Sequence, residues 1–258
     1  MIDSAETRIP PIEDPLLRRI VGRDVSALGE LYDLHSSHLY ALIWRILGDQ
    51  FQADLALTET FEQVWEQSDR TRSQFGSSLA WLTRTARDIA VNRLRPNQFA
   101  APEKMRKLPK MEGVMGWHGE IMEAISKLPV EEWSLIEYAY FHGYTRTKLA
   151  EYFEIPVEAV KTSIHQGVQS LSVRLQHIVG ERVAPIGSLY LDELAALDAV
   201  GALEGEDVGE FNRNAPNVNT ETQREMARYR EVAALFSSCC VCEKQPPAVL
   251  RERLLKLI

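Results

Sequence analysis

Six arginines crowd residues 66–95: Arg70, Arg72, Arg84, Arg87, Arg93 and Arg95, against three acids in the same stretch. A guanidinium fork holds phosphate by paired, charge-assisted hydrogen bonds, so the cluster is read as a phosphate-contacting surface rather than a solvated face. Arg84, Arg87 and Arg95 recur at three- and eight-residue spacing, which puts them on related faces of a helix. Trp81 lies in the same segment, where a core role and contact with a nucleic-acid base are both open to it. Three cysteines, Cys239, Cys240 and Cys242, stand within four residues. A disulfide framework would spread its cysteines, and a zinc site takes four ligands, usually two pairs or a pair with histidines. The last histidine is His177, so no metal is expected. Incidental reduced thiols and a thiol switch both remain open for the cluster. His35 and His38, three residues apart without acidic or cysteine partners, are read as structural. No Ser/His/Asp set, phosphate loop or metal cluster is visible, so neither an enzyme nor a cofactor is expected.

The elements that must carry these side chains are helices. Leu28, Leu31, Tyr32, His35, Leu39, Leu42, Ile43 and Ile46 follow a three-four spacing within residues 16–49, and Gly48-Asp49 closes that block. A second helix is expected over 54–67, with Leu55, Phe61, Val64 and Trp65 as its apolar members. Ser68–Gly76 is a polar loop. Ser78 is placed as the cap of the next helix, which holds Trp81, Leu82, Ile89 and Leu94 and stops before Pro96. Residues 97–118, rich in Pro and Gly with scattered Lys and Arg, mark a linker. Beyond it, Thr145 opens a short helix with Leu149, Ala150 and Phe153. The turn Glu154-Ile155-Pro156 follows, then a longer helix from Val157 to about Ile178. A short helix, a three-residue turn and a longer helix form a helix-turn-helix arrangement. Gly180–Gly187 is a second break. Leu189–Leu203 is apolar and Ala-rich, Asn212–Asn219 is read as a loop, Glu221–Phe236 as a helix, and Pro246-Pro247 introduces a last amphipathic one. Nothing alternates with period two over a useful length, so the fold class is all-α.

Composition narrows the class. The chain has 258 residues, 45% hydrophobic and 26% charged, which excludes wholesale disorder. No run approaches the roughly 18 apolar residues of a membrane span, and Met1–Pro15 is acidic with no apolar core, so the chain is expected in the cytoplasm. The net charge of −8 argues against nucleic acid as a partner when taken whole. Its distribution argues otherwise: residues 66–118 are net basic, whereas 183–258 carry twelve acids against eight Lys and Arg.

Leu31-Tyr32, Leu39-Tyr40-Ala41-Leu42, Ile46-Leu47-Gly48-Asp49, Thr58 to Trp65, Leu79-Ala80-Trp81-Leu82, Thr85 to Asp88 and Asn92 to Arg95 together resemble region 2 of the extracytoplasmic-function (group 4) sigma factors. Ile125 to Pro129, Ala139 to Tyr144, Leu149-Ala150-Glu151 and Ile155 to Thr162 look like region 4 of the same family. The tail is similar to the sigma-binding domain of anti-sigma factors that lack zinc, through Leu194–Leu203, Glu231–Leu235 and Pro246–Arg253. The zinc-bearing type places a His and two Cys where this chain has Asn212 to Val218.

The resemblance implies three segments: 16–96 as region 2, 119–180 as region 4, and 188–258 as regulatory helices. It implies core RNA polymerase and promoter DNA as partners, with the tail closing on the sigma regions. Asp54, Leu55, Thr58, Glu59 and Glu62 would meet the polymerase, on a helix whose start is poorer in acids than usual for the family. Arg70, Arg72, Trp81, Arg84, Arg87, Arg93 and Arg95 would meet the −10 element. Glu158, Lys161, Thr162, Ser163, His165 and Gln166 would meet the −35 element, although Ser163, His165 and Gln166 stand where the family commonly has Arg. Glu154 replaces the usual turn Gly. The alternative is a degenerate sigma-like protein that no longer binds DNA and regulates through protein contacts.

Overall fold

The structure, a computed structural model, describes residues 15–67, 77–94, 118–180, 188–239 and 245–258. Arg70, Arg72, Arg95, Cys240, Cys242 and nearly all of the expected linker lie outside these residues. Among the described residues every regular element is a helix. None is long and apolar enough to cross a membrane.

The first bundle comprises α1 (Pro15–Val21), α2 (Val25–Leu47), α3 (Gln50–Gln67) and α4 (Ser78–Arg93). The Asp24 carboxylate caps α2 by accepting from the amides of Ser26 and Ala27, and Gly48 ends the helix in the left-handed conformation. Helix α3 begins at Gln50 rather than at the expected Asp54. The Asp49 side chain accepts from the Gln52 amide at 2.8 Å, and this local cap adds a turn with little apolar patterning. Ser77, not Ser78, caps α4, with its hydroxyl accepting from the Ala80 amide at 3.1 Å. Leu28, Leu31, Leu39, Leu42 and Phe61 are fully buried, and Tyr32 tilts against Phe61 with ring centroids 4.9 Å apart. Burying each such side chain contributes about 1.5–3 kcal/mol.

The second bundle comprises α5 (His118–Ser126), α6 (Val130–His142), α7 (Arg146–Phe153), α8 (Val157–Arg174) and the short α9 (Gln176–Val179). Thr145 caps α7. Glu154, the turn residue between α7 and α8, adopts φ 54° and ψ 42°. A side chain in that conformation costs about 1 kcal/mol, which the turn absorbs to set α8 against α6 and α7.

The extension comprises α10 (Leu189–Val200), α11 (Glu206–Asn214), α12 (Thr220–Leu235) and α13 (Ala248–Leu257). The loop expected over Asn212–Asn219 is corrected. Asn212–Asn214 close α11, Ala215–Asn217 form a 3-10 turn, and Asn219 caps α12. Glu206 and Asp207 in the first turn and the buried Phe211 make α11 a helix that the Asn-rich end concealed. Helix α10 lies on α8, α12 lies on both α8 and α4, and α13 crosses α2 and α3. The buried apolar side chains of all three segments join in one core.

Two helices end against α4. Helix α6 terminates at Gly143 (φ 66°) and α10 at Gly201 (φ 73°). A Cβ at Gly143 would collide with Val91, and one at Gly201 with the Arg87 guanidinium. At Gly48 (φ 65°) the same atom would meet open space. Gly48→Ala is therefore expected to cost about 1 kcal/mol, from left-handed strain alone. Gly201→Ala is expected to cost at least about 3 kcal/mol and to lower Tm by roughly 6–12 °C, measured by thermal unfolding of the two variants.

Candidate nucleic-acid interface

The arginines of α4 face inward. Arg87 is only 5% exposed. Its Nε donates to the Tyr140 carbonyl at 2.9 Å, its Nη2 to the Ala139 carbonyl at 2.6 Å, and its Nη1 to Asp88 at 2.7 Å. The two carbonyls belong to the last turn of α6, where backbone acceptors and the negative end of the helix dipole favour a cation. Arg84, one turn earlier, does the same for α10. It donates to the Asp198 carbonyl at 2.8 Å and to Asp198 Oδ1 at 2.9 Å. Arg230 of α12 holds the other oxygen, Oδ2, at 2.9 and 3.0 Å. Burial opposes ionisation of Asp198, but Arg84 and Arg230 hold its carboxyl below the usual carboxylate range. Burial would likewise lower Arg84, yet the charges of Asp198 and Asp88 hold it above its ordinary value. At the start of α4, the Glu231 carboxylate accepts from the Ser77 amide at 2.6 Å and from its hydroxyl at 2.7 Å. Burial pushes Glu231 up despite those bonds.

The extension covers one side of the helix-turn-helix. His165 Nε2 lies 3.0 Å from Asp192 Oδ2, and the other Asp192 oxygen accepts from the Tyr229 hydroxyl at 2.7 Å. Lys161 is 9% exposed and pairs with Glu158 at 3.0 Å. Buried Arg228 donates to Ser172 near the end of α8. On α7, Arg146 pairs with Asp207 and, at 3.7 Å, with Glu204, whose carboxylate also accepts from the Thr147 amide at 2.8 Å. Glu158, Thr162 and Gln166 stay exposed, and Ser163 is half-buried.

In this structure three of the residues expected at DNA are turned inward. Trp81 is a core residue, 6% exposed. Arg87 caps α6, and Arg84 is held by Asp198. The −35 set divides as well: Lys161 and His165 are covered, whereas Glu158, Thr162 and Gln166 are open. Arg93 reaches back to α3, 2.5 Å from Glu59, so one residue expected at DNA pairs with one expected at the polymerase. Also on α3, Asp54 accepts from the Tyr40 hydroxyl at 2.8 Å, Thr58 bonds the Asp54 carbonyl, Leu55 is exposed and Glu62 half-buried.

Phe236, fully buried, leads the 3-10 turn Phe236–Cys239 and stacks edge-on against Trp133 and Tyr140 of α6 at 5.5 and 5.3 Å. The next residue, Ser237, meets α2: its hydroxyl donates to the Ala234 carbonyl, which leaves its oxygen to accept from His38 Nε2 at 2.5 Å. Residues 236–237 thus touch both bundles. Reasoning from sequence missed Asp192, Asp198, Glu231 and Phe236. A signal existed for the first two, since a carboxylate inside an otherwise apolar helix demands a buried partner.

Comparison with known proteins matches residues 31–99 to the family described as Sigma-70 region 2, and residues 118–171 to Sigma-70, region 4. The chain is 27% identical over 169 residues to the ECF RNA polymerase sigma factor SigK of Mycobacterium tuberculosis and to that of Mycobacterium bovis, covering 61% of this chain and 90% of each relative. SigK of a further Mycobacterium species is 25% identical over the same length, covering 88% of that relative. Residues 31–99 and 118–171 thus match the models of sigma-70 regions 2 and 4, and the relatives they resemble are named as RNA polymerase sigma factors. The first bundle holds region 2 and the second region 4.

His38 gives the seam a pH dependence. Burial, and secondarily the charge of His35, pull its pKa from 6.5 down to about 4. Between those values the unfolded chain binds the extra proton and the folded one does not. Stability is thus full above about pH 6.5 and falls as pH drops toward 4, by up to about 3 kcal/mol from this residue. Urea unfolding at pH 7.5 and pH 5 is expected to show that loss, and His38→Gln to reduce it.

Proposed function

We propose that this chain is an extracytoplasmic-function sigma factor whose fused C-terminal extension, resembling a zinc-less anti-sigma domain, holds it closed. In this reading regions 2 and 4 direct core RNA polymerase to the −10 and −35 elements of a promoter. The observation that carries it is the pair of carboxylates on α10. Asp198 takes Arg84 of region 2, and Asp192 takes His165 of region 4. One helix thus holds a residue of each region and joins region 2 to region 4 through itself.

The same contacts oppose separation of the two regions. A promoter presents its two elements at separate places along the duplex, so region 2 and region 4 must part to reach both. Arg87 on the last turn of α6, Arg45 on Glu137 at 2.8 Å and Phe236 between the bundles all resist that parting. Because the extension is tethered, its local concentration is about millimolar, and no partner has to be captured for closure. Opening needs a signal that binds or modifies the open form preferentially.

A second reading rests on the helix-turn-helix. Ser163 and Gln166 bring hydrogen-bonding groups but no charge, which favours a regulator that has lost promoter binding and acts through protein contacts. Transcription in vitro separates the two. Deleting the extension would uncover the flank of α8 on which α10 and α12 pack, so substitutions in the full chain are the better probe. With core polymerase and DNA from upstream of its own gene, the Asp192→Ala/Asp198→Ala double variant is expected to initiate about tenfold more than wild type, corresponding to a coupling of about 1.4 kcal/mol. Initiation equal to wild type would overturn the inhibitory role of α10. Absence of initiation and of polymerase binding in both proteins would favour the regulator.

A further inference from the structure

Helix α10 cannot leave α8 as a free helix. Nine of its twelve residues are buried, among them Leu191, Leu194, Leu197 and Val200, with no polar side facing away. It packs mainly on α8 and α12. An apolar seam of this kind is the interior of a domain, in contrast with the charged pairs that join α4 to the extension.

The other side of α8 is open. Thr162, Gln166, Gln169 and Val173 follow one another at four-, three- and four-residue spacing, so they line one face. Thr162 and Gln166 are exposed, Gln169 is half-buried, and Val173 is 46% exposed. An open concavity of about 430 Å³ runs along its C-terminal half, and Arg174 at its far end leans on Ser170 at 3.3 Å. The residue types suit base edges in a major groove. Gln pairs with adenine through two hydrogen bonds, Thr bonds either class of base, and an aliphatic side chain meets the thymine methyl. None of the four is charged.

We infer that the extension is a permanent part of the region 4 body, and that duplex DNA is read with α10 in place, by the face Thr162–Gln166–Gln169–Val173. The inference rests on the promoter-binding reading above and deepens it. Closure then silences region 2 and the spacing of the two regions, but it does not block sequence reading by region 4. A closed molecule can sit on its target sequence before polymerase arrives. His165, beside Asp192 of the extension, and Lys161, buried and paired with Glu158, take no part in reading.

Selection from a pool of random DNA duplexes, with the full chain immobilised, no polymerase, and low salt, tests this. A recurrent A·T-containing sequence is expected. Gln166→Ala and Gln169→Ala should each relax preference at one base pair by about tenfold, the worth of one paired Gln–adenine contact. His165→Gln should leave the selected sequence unchanged. The inference is overturned if no sequence is enriched although the same protein initiates with core polymerase, because the face is then closed or unused. It is also overturned if the selected sequence survives Gln166→Ala and Gln169→Ala but is lost with His165→Gln. Failure of both selection and initiation would instead remove the promoter-binding reading on which the inference stands.

Discussion

Everything in this molecule is arranged around two guanidinium groups on one face of α4. A helix C-terminus carries carbonyls without intrahelical partners and the negative end of a dipole. Here two such ends, from α6 and from α10, are brought to a single helix of region 2. Arg87 satisfies the first and Arg84 the second. A buried cation must have its hydrogen bonds met, so each arginine fixes the position of the helix it caps. Gly143 and Gly201 follow from that geometry, since any larger residue would push the helix ends away from α4. The three segments of the chain are thereby locked to one another by groups that neither region 2 nor region 4 could satisfy alone.

Two kinds of seam result. Between α8 and α10 the contact buries most of the apolar residues of α10, and within it Asp192 accepts from the Tyr229 hydroxyl and lies 3.0 Å from His165 Nε2. Between α4 and the extension it is mostly charged: Arg84 with Asp198, Ser77 with Glu231. Helix α13 adds a third contact, in which Leu250 and Leu254 bury against region 2 while Arg251 pairs at the rim with Asp33 at 2.7 Å. Salt weakens the rim pair of Arg251 with Asp33 far more than the buried pair of Arg84 with Asp198.

Much of this architecture could be read from the residues. The three-four spacing of Leu28 to Ile46 marked α2, and Thr145, Glu154 and Pro156 framed the helix-turn-helix, because caps and turns are local chemistry. Boundaries set by short-range caps were harder. Asp49 and Ser77 each start a helix where apolar patterning is silent, and α11 hid behind its terminal asparagines. The arginines of α4 were legible as a cluster needing anions, but not which anions. Helix carbonyls and a carboxylate met from 52 to 114 residues away leave no trace in local spacing. Trp81 shows the limit from the other side: a tryptophan suits a core and a base equally well until its neighbours are known.

The burial of α10 on nearly every side has a consequence for how the protein comes into being. Region 2 is complete once α4 has emerged from the ribosome, and its core of α2, α3 and α4 can close at once. Region 4 is translated next, but one flank of α8 has no cover until α10 and α12 follow. Its final packing therefore waits for some sixty further residues, through Phe236. The extension is synthesised as the missing wall of the domain before it. A nascent chain interrupted between the two would leave the flank of α8 that carries His165 and Ser172 without its cover, and such a fragment is the natural prey of chaperones and proteases. Sigma regions and extension are in this sense one folding unit, made in sequence and finished together.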